Sequence, residues 1–433
     1  MTESHTTARD LAALVIPQQG HLQETDDPWE PYQLVDPTGQ VVEPVAAYFR
    51  ELQGASSPAT TIRSYGNDLL RWFRFLWAID IPWDRATRTD ARDFARWLQT
   101  ADKPARVHWR SKGNSEPADD VPLPAPRSGR AEPGSPNSVT GKRRPGRKYA
   151  ASTRAHCETV VRIFYDFHLE SGSGPIMNPF PLHRSRKSVR AHAHRNPMQE
   201  QGNERQGRYR PKVPKQLPRR IPDEKFNEIF AGLKSNRDRA LLAFWVSTGA
   251  RSEELLTSLH RDADPGQQLI GVIRKGSREY QQLPASADAF VWLRLYQEES
   301  RRAGAPHGRR DSLWWTLRRP WRPLNYSAAR AMFNRANELI GANWTLHDLR
   351  HTAAYRMAQD PAISLTDVQW VLGHAKLTTT QIYLSPSRDE VIENVIAHHA
   401  RQARKLTEPA PAPPPPPGPG YNPASLDILF GRP

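Results

Sequence analysis

The chain has 433 residues and a formal net charge of +15 at pH 7, from 61 Lys or Arg and 46 Asp or Glu. Its single cysteine, Cys157, excludes an intramolecular disulfide and a thiolate metal cluster, which fits a reducing cytoplasm. No segment approaches the roughly 20 apolar residues of a membrane-spanning helix, and the apolar run 11–16 is too short for a signal-peptide core. We therefore expect a soluble cytoplasmic protein that does not bind membranes, with enough chain for two or three domains.

The first part of the chain predicts an arm followed by a helical domain. Residues 1–42 are polar and contain prolines, which is typical of a flexible N-terminal arm. Apolar residues then recur at helical spacing within 43–183, with Leu69 and Trp72 on a dense apolar face. The stretch 102–149 interrupts this pattern with eight prolines and almost no large apolar residues, which indicates a disordered or loosely attached insertion.

A basic segment, 184–220, follows this region. It holds twelve Lys or Arg against two Glu, which is ten of the fifteen net positive charges. Such a concentration favours a polyanionic partner, most simply DNA, because cationic side chains release the counterions condensed on phosphates. We predict an extended interdomain linker along a DNA backbone, in which the DNA-binding residues are Arg184, Arg186, Lys187 and Arg190. A solvated hinge, in a basic enzyme without a nucleic-acid partner, is the alternative.

Residues 221–405 predict a second, α-rich domain with a small antiparallel sheet. Its helices are expected from Asp223 onward and over 241–246, 286–303, 326–340, 347–358, 364–372 and 387–405. Two strands are expected over 269–273 and 279–283, joined by a hairpin turn that contains Lys275. The tail 406–433 contains five consecutive prolines and is predicted to be disordered.

The second domain carries the groups that a protein nucleophile needs to cleave a phosphodiester. A tyrosine phenol, with a pKa of about 10, needs cationic neighbours that favour its phenolate form. Forked guanidinium groups match the negative charge on the non-bridging oxygens, and a lysine can protonate the leaving oxygen. The candidates are Tyr383, Arg251, Lys275, His347, Arg350 and His374.

Each candidate also has an ordinary explanation when it is considered alone. Arg251 precedes a predicted helix, whose free amides attract phosphate, but it could equally be a surface residue. A lysine in a glycine-containing turn and a tyrosine in an apolar segment are common without any function. His347 and His351 have the i, i+4 spacing of a metal pair, but the intervening Asp-Leu-Arg lacks the glutamate of a zinc protease, so no metal is expected.

Four motifs together carry a resemblance to a known family. They are Thr248-Gly249-Ala250-Arg251, Lys275-Gly276-Ser277-Arg278, His347-Asp348-Leu349-Arg350-His351, and Leu372-Gly373-His374 with Tyr383 nine residues later. This set resembles the tyrosine recombinase (phage integrase) family, whose six active-site positions all have a matching residue here in the family's order. The likeness covers about 215–400 strongly and 43–183 more weakly, and Tyr280 stands where the family often has a basic residue.

The resemblance implies a role for each matching residue. Tyr383 would attack the scissile phosphate and become a 3′-phosphotyrosyl. Arg251 and Arg350 would clamp the non-bridging oxygens, and Lys275 would protonate the leaving 5′-oxygen.

The remaining positions have supporting roles by the same resemblance. His347 and His374 would assist proton transfer and phosphate binding. Glu254 matches an acidic position that orients the arginines, and Arg278, beside the lysine turn, is a further DNA-binding candidate.

The implied fold is mainly α: an N-terminal helical core-binding (SAM-like) domain and an α-rich catalytic domain with a small antiparallel sheet, forming a C-shaped DNA clamp. The implied activity is site-specific, integrase-type recombination for a mobile element, with no cofactor, ATP or metal. The implied partners are double-stranded DNA, a homotetramer on two DNA sites and DNA-bending accessory proteins, in association with the nucleoid. A type IB topoisomerase-like enzyme and an inactive DNA-binding protein are the alternatives.

Overall fold

The computed structural model describes residues 9–11, 14–104, 132–183, 206–213, 219–383, 392, 395–402 and 423–431. The chain divides into two compact units, one of Met1–Gln216 with Gly341–Asn343 and one of Leu217–Ile340 with Trp344–Pro433. Both units are mainly helical with a small antiparallel sheet, so the predicted fold class is confirmed. None of the helices in these ranges combines the length and the apolar content that crossing a bilayer would need.

The N-terminal unit contains four helices whose apolar faces meet in one aromatic core. They are α1 (Glu43–Gly54), α2 (Ala59–Ala78), α3 (Arg88–Thr100) and α4 (Ala151–Glu170). Trp72 on α2 is fully buried, and its indole N–H donates to the hydroxyl of Tyr165 on α4 at 2.9 Å. Because a buried indole needs an acceptor, this bond specifies how α2 packs against α4.

The segment expected to be a flexible arm contains a β-hairpin instead. Strand β1 (His21–Glu24) pairs antiparallel with β2 (Tyr32–Val35), and Leu34 is fully buried in the helical core. Arg74 on α2 donates from Nε to the carbonyl of Gln19 at 2.7 Å, which ties the hairpin to the helices. The prediction of a flexible arm over 1–42 was wrong here, because strands this short carry too few apolar residues to form a sequence pattern.

The described part of the Pro-rich insertion also attaches to the N-terminal unit. Asp102 and Lys148 form an antiparallel bridge, and the amide of Lys103 donates to the carbonyl of Arg147 at 2.9 Å. These bonds close the insertion at its base, so the prediction of loose attachment over 102–149 was wrong at both ends. Residues 105–131 lie outside the described residues.

Residues 206–213 of the basic segment also pack on the N-terminal unit. Leu182 pairs with Gly207 in an antiparallel bridge, and the ring of Tyr209 packs edge-on against Phe180 at 6.4 Å. The extended linker predicted for 184–220 was therefore wrong over 206–213, because an aromatic side chain anchors this stretch. The four cationic residues predicted to bind DNA at the start of the segment lie outside the described residues.

Between residues 219 and 383, the C-terminal unit contains eight α-helices and three strands. The helices are α5 (Asp223–Ala231), α6 (Asn236–Thr248), α7 (Ser252–Leu256), α8 (Ala287–Arg302), α9 (Tyr326–Leu339), α10 (Leu346–Gln359), α11 (Leu365–Leu372) and α12 (Leu377–Gln381). Helix α6 is the buried centre, with Leu241 and Phe244 fully buried, and it packs against α8 and α10. Residues 395–402, within the helix predicted over 387–405, are also helical.

The three strands form one antiparallel sheet in the order β3 (Ala263–Asp264), β4 (Leu269–Ile273), β5 (Tyr280–Pro284). The β4–β5 hairpin has the predicted strands, with pairing from Leu269↔Pro284 to Ile273↔Tyr280. The two-residue strand β3 was not predicted, since it is too short to show alternation. The hairpin turn brings Lys275 to the N-terminus of α7, where the amide of Lys275 donates to the carboxylate of Glu254.

The end of the tail is a short helix, α13 (Pro423–Leu429). The prediction of disorder over 406–433 was wrong for this stretch, because proline fits the first turn of a helix and no further proline follows it before Pro433. Ile428 and Phe430 are exposed. Residues 406–422 lie outside the described residues.

Candidate active site

Arg251 is positioned by a sharp reversal of the chain between two helices. Helix α6 ends at Thr248, and Gly249 follows in the left-handed conformation, with φ of 62°. Only glycine adopts this conformation without strain, and a Cβ at Gly249 would lie 2.8 Å from Cδ2 of Leu372. The turn leaves Arg251 as the N-cap residue of α7, as the sequence predicted.

Glu254 on α7 holds the cationic groups of the site together. Its carboxylate accepts hydrogen bonds from Nη1 of Arg251 at 2.8 Å, from Nη1 of Arg274 at 3.1 Å and from the amide of Lys275 at 3.0 Å. The side chain is 1% exposed. Burial alone would raise the pKa of Glu254, but the hydrogen bonds from Lys275 and Arg251 and the charge of Arg251 outweigh it and leave the pKa below its ordinary value.

Arg350 on α10 is buried between two helix ends. Its Nη1 donates to the carbonyl of Gly249 at 2.7 Å, and its Nη2 donates to the carbonyl of Leu372 at 2.6 Å. Burial and repulsion from Arg251 lower the pKa of Arg350 to about 10, so the guanidinium still carries its charge at neutral pH. The bonds to the ends of α6 and α11 fix the direction of this guanidinium.

Two histidines of the site are held in their neutral form. His374 lies with Nδ1 2.9 Å from Oγ1 of Thr380, and burial followed by the charge of Arg350 lowers the pKa of His374 to about 4. Burial and the same arginine also lower the pKa of His347. Both rings can therefore donate or accept a hydrogen bond at neutral pH without adding charge.

Tyr383 lies in a small apolar cluster with Ala354, Val368 and Leu372, and it is 4% exposed. Its hydroxyl lies 2.9 Å from Nδ1 of His351. Burial raises the pKa of Tyr383, and the charges of Arg350 and Arg251 oppose this only in part. The sequence-based expectation that cationic neighbours favour the phenolate is therefore outweighed by burial in this structure.

Lys275 occupies the hairpin turn but its ammonium group faces solvent. Its side chain is 60% exposed, and Nζ pairs with Oε2 of Glu253 at 3.0 Å. A groove of about 1290 Å³ runs beside this turn and is lined by Arg251, Gln281 and His374 among others. The same turn contains Arg278, with a φ of 60°.

In the part of the chain that the structure describes, no group of three or more His, Cys, Asp or Glu side chains is arranged to hold a metal ion. His347 and His351, the pair with metal-like spacing, pack ring against ring at 4.3 Å.

Two family models match this chain. Residues 219–390 match the model described as the phage integrase family, and residues 45–108 match its N-terminal SAM-like domain. The chain belongs to the tyrosine recombinase (phage integrase) family. The matched ranges include all six predicted catalytic residues, from Arg251 to Tyr383.

Relatives in this family are similar to this chain over less than half of its length. Tyrosine recombinase XerC of Bacillus pumilus is 27% identical over 203 residues, which are 45% of this chain and 66% of the relative. XerC of Corynebacterium efficiens is 30% identical over 207 residues, 44% of this chain and 62% of the relative. XerC of Chlamydia caviae is 30% identical over 180 residues, 40% of this chain and 56% of the relative. The chain thus spans less than two thirds of the length of these relatives.

Among solved structures, the Tn1549 transposon integrase in complex with transposon right end DNA aligns with 83% of this chain and 99% of its own. The alignment has 14% identity and a TM-score of 0.49.

The structure of this family member brings five of the predicted catalytic residues close together. The charges of Arg251 and Arg350 act on His347, His374 and Tyr383, and the ring of His374 stacks on that of Tyr383 at 6.2 Å. Lys275 is linked to these residues through its amide, which binds Glu254, while its side chain points to Glu253.

Sequence reasoning missed two residues that contact the site. Arg274 is 4% exposed and donates to Glu254 and to the carbonyl of Val371, so it ties the β4–β5 hairpin to α11. In the sequence it was only a neighbour of Lys275. His351 was part of a motif without a role, yet it contacts the Tyr383 hydroxyl. One signal was present in the sequence: Arg274 is the last residue before the predicted turn. An arginine at that position can pair with a buried acidic side chain.

Proposed function

We propose that this chain is a site-specific DNA recombinase that cleaves and rejoins DNA strands through a covalent 3′-phosphotyrosyl intermediate. The observation that carries the proposal is the proximity of two guanidinium groups to a tyrosine hydroxyl. The charges of Arg350 and Arg251 both act on Tyr383, while Glu254 holds Arg251 in place. Family membership supports the same chemistry.

The cleavage step follows from these groups. The Tyr383 oxygen attacks phosphorus as its proton leaves, the bond from phosphorus to the 5′-oxygen breaks, and the strand becomes linked to the enzyme through its 3′-phosphate. Arg251 and Arg350 stabilise the charge that develops on the non-bridging oxygens, because fixed guanidinium donors need no reorganisation. His347 and His374, neutral at pH 7, hydrogen-bond the phosphate or pass protons.

The leaving 5′-oxygen needs a proton, and Lys275 is the proposed donor. Its ammonium reaches the phosphate by leaving Glu253, which costs little because the pair is exposed on both sides. Rejoining is the reverse step, with the 5′-hydroxyl of a second strand as nucleophile. Because the phosphotyrosyl bond conserves the energy of the phosphodiester, we expect no requirement for ATP or a metal.

The proposed partners are double-stranded DNA and further copies of this chain. Exchange of two strand pairs requires four active sites, which a homotetramer on two DNA sites would supply. DNA-bending accessory proteins, association with the nucleoid and service to a mobile element belong to the same proposal. We assign DNA binding to Arg184, Arg186, Lys187, Arg190 and Arg278.

A strand-exchange assay tests the proposed function against a topoisomerase activity. The full chain is first used to select binding duplexes from a random-sequence library, and two copies of a selected duplex are cloned into a supercoiled plasmid. We expect deletion or inversion of the DNA between the copies, and none in a plasmid with one copy. Relaxation of both plasmids without rearranged product would contradict recombination and favour a topoisomerase; failure to select any duplex would contradict both.

A further inference from the structure

His351 contacts the proposed nucleophile, although no catalytic role was assigned to it. It follows Arg350 on α10, and its Nδ1 lies 2.9 Å from the hydroxyl oxygen of Tyr383. This is a normal hydrogen-bond distance between a phenol and an imidazole nitrogen. The two rings are tilted by 49° at 5.6 Å between centroids, so the contact is directed along the nitrogen and is not a stacking contact.

The position of the His351 ring is fixed by its neighbours. His347, one helical turn earlier on α10, packs edge-on against it at 4.3 Å and 72°. From the opposite side, Tyr383 is held in the apolar cluster with Ala354, Val368 and Leu372. Both partners of the hydrogen bond are therefore held by packing, as a group that must accept a proton from a defined atom requires.

The surroundings of His351 keep it neutral and able to accept a proton. Burial, followed by the electrostatic interaction with His347 and the charges of Arg350 and Arg219, lowers the pKa of His351 to about 4, whereas Asp348 opposes them. In a neutral imidazole one nitrogen carries hydrogen and the other accepts. The Tyr383 phenol is protonated at neutral pH, and burial raises its pKa further, so its O–H donates to Nδ1.

We propose that His351 is the general base that accepts the proton of the Tyr383 hydroxyl during strand cleavage. The inference rests on the proposed function. In this step the O–H bond of Tyr383 breaks, its proton goes to Nδ1 of His351, and the oxygen electron pair forms the bond to phosphorus. The bond to the 5′-oxygen breaks, and that oxygen takes a separate proton from the leaving-group acid. In rejoining, the imidazolium returns its proton to Tyr383.

The incoming phosphate favours the protonated form of His351, and the new bond from the Tyr383 oxygen to phosphorus means that no free phenolate has to form. In the structure the phenol is a weak acid and the imidazole a weak base, so proton transfer between them is unfavourable. A phosphodiester bound by Arg251 and Arg350 adds a negative charge beside the ring, which raises the basicity of His351. The base thus becomes effective when DNA is bound, which limits formation of a reactive phenolate without substrate.

The test measures single-turnover cleavage by the full chain on a nicked duplex of the selected sequence, with covalent complex quantified on denaturing gels. We expect His351→Ala to cleave about 10²–10³-fold more slowly, within the range for loss of a general base. Its DNA affinity should stay within about twofold, and added imidazole should restore part of the rate. His307→Gln, a surface change outside the site, is the control for histidine loss.

Two further arms separate proton acceptance from other roles. His351→Gln keeps a hydrogen-bond acceptor for the phenol but cannot take its proton, so we expect it to be as slow as His351→Ala at native stability. A duplex with sulfur in place of the leaving 5′-oxygen needs no acid, because a thiolate leaves readily. That duplex should rescue Lys275→Ala but neither His351 variant.

The outcomes that overturn the inference are distinct from failure of the proposed function. Cleavage by His351→Ala at or above the wild-type rate would mean that the hydrogen bond is dispensable or restrains the phenol at rest. Rescue of His351→Ala by the sulfur duplex would place its role at the leaving group, and wild-type rates for His351→Gln would leave it a positioning residue. If the wild-type chain forms no covalent complex, the proposed function itself fails.

Discussion

Glu254 shows why the charge of a single side chain can determine the arrangement of this site. A carboxylate that is 1% exposed is stable only with full hydrogen bonding, and here Arg251, Arg274 and the amide of Lys275 supply it. Two segments that are distant in sequence, the start of α7 and the β4–β5 turn, meet at this one group. We therefore propose that Glu254 orients Arg251 and the β4–β5 turn.

Glu254→Gln should destabilise the chain and slow cleavage together. Removing one partner of a buried ion pair costs about 3–5 kcal/mol, because Arg274 would keep its buried charge without a counterion. The matched control is Glu253→Gln, next in sequence but exposed, which should change stability by less than about 1 kcal/mol. Urea denaturation of both variants, with cleavage rates, makes the comparison. Equal stability of the two variants would contradict the proposed role of Glu254 as the group that holds the site together.

Titration of the site histidines should appear in the pH dependence of stability. The pKa of His351 and of His374 is about 4 in the folded chain, against about 6.5 for an unfolded histidine. Between these values the unfolded chain binds more protons, so folding stability should fall as the pH decreases from about 6.5 to about 4 and this contribution should then level off.

The double variant His351→Gln, His374→Gln isolates this contribution. Thermal unfolding midpoints measured from about pH 7 to about pH 4 should fall less steeply for the variant than for the wild type. Parallel curves would show that the two rings are not held neutral in the folded chain.

At the scale of elements, Arg350 joins the C-terminal ends of α6 and α11. It does so through the carbonyls of Gly249 and Leu372, which are acceptors that a helix end leaves without an internal partner. The geometry of the guanidinium therefore depends on the turn at Gly249 as well as on α10.

Gly249→Ala should destabilise the chain more than a Gly→Ala substitution at an ordinary left-handed turn does. The added Cβ meets Leu372 at 2.8 Å and carries left-handed strain, whereas at Gly172, with φ of 66°, nothing lies within 4 Å. We expect Gly172→Ala to cost about 1 kcal/mol from strain alone and Gly249→Ala to cost more and to slow cleavage. Denaturation midpoints and cleavage rates provide the readout. Equal costs with normal cleavage would contradict a tight junction.

The same elements show what the sequence could predict. Helix α8 and the β4–β5 hairpin lie within about a residue of their predicted bounds, since apolar periodicity reports burial directly. The β1–β2 hairpin was missed because its strands are short. Arg274 was missed because the sequence does not distinguish a buried arginine from a solvated one. Only the fold shows that it pairs with Glu254. The neutral state of the site histidines was missed because burial is a property of the assembled site.

At the scale of the whole molecule, we expect the proposed DNA affinity to be mainly electrostatic. Neutralising Arg184, Arg186, Lys187 and Arg190 to Gln should make the dependence of log affinity on log salt concentration shallower, by up to about 0.9 for each phosphate that is no longer neutralised. The control neutralises four exposed arginines with the same change in charge: Arg301, Arg302, Arg309 and Arg310. Fluorescence anisotropy between about 50 and about 200 mM salt, where such slopes are steep, makes the measurement. Equal slopes for the two variants would support the solvated-hinge interpretation.

Formation of a covalent bond between Tyr383 and DNA is the central claim. Tyr383→Phe keeps the ring in its apolar cluster and removes only the hydroxyl that contacts His351. On a nicked duplex of the selected sequence, the wild-type chain should form a complex that resists denaturing detergent, with the 3′-phosphate mapped by mass spectrometry to the peptide containing Tyr383. The variant should bind the same duplex with near-normal affinity and form no such complex. A covalent complex formed by the variant at the wild-type level would contradict Tyr383 as the nucleophile.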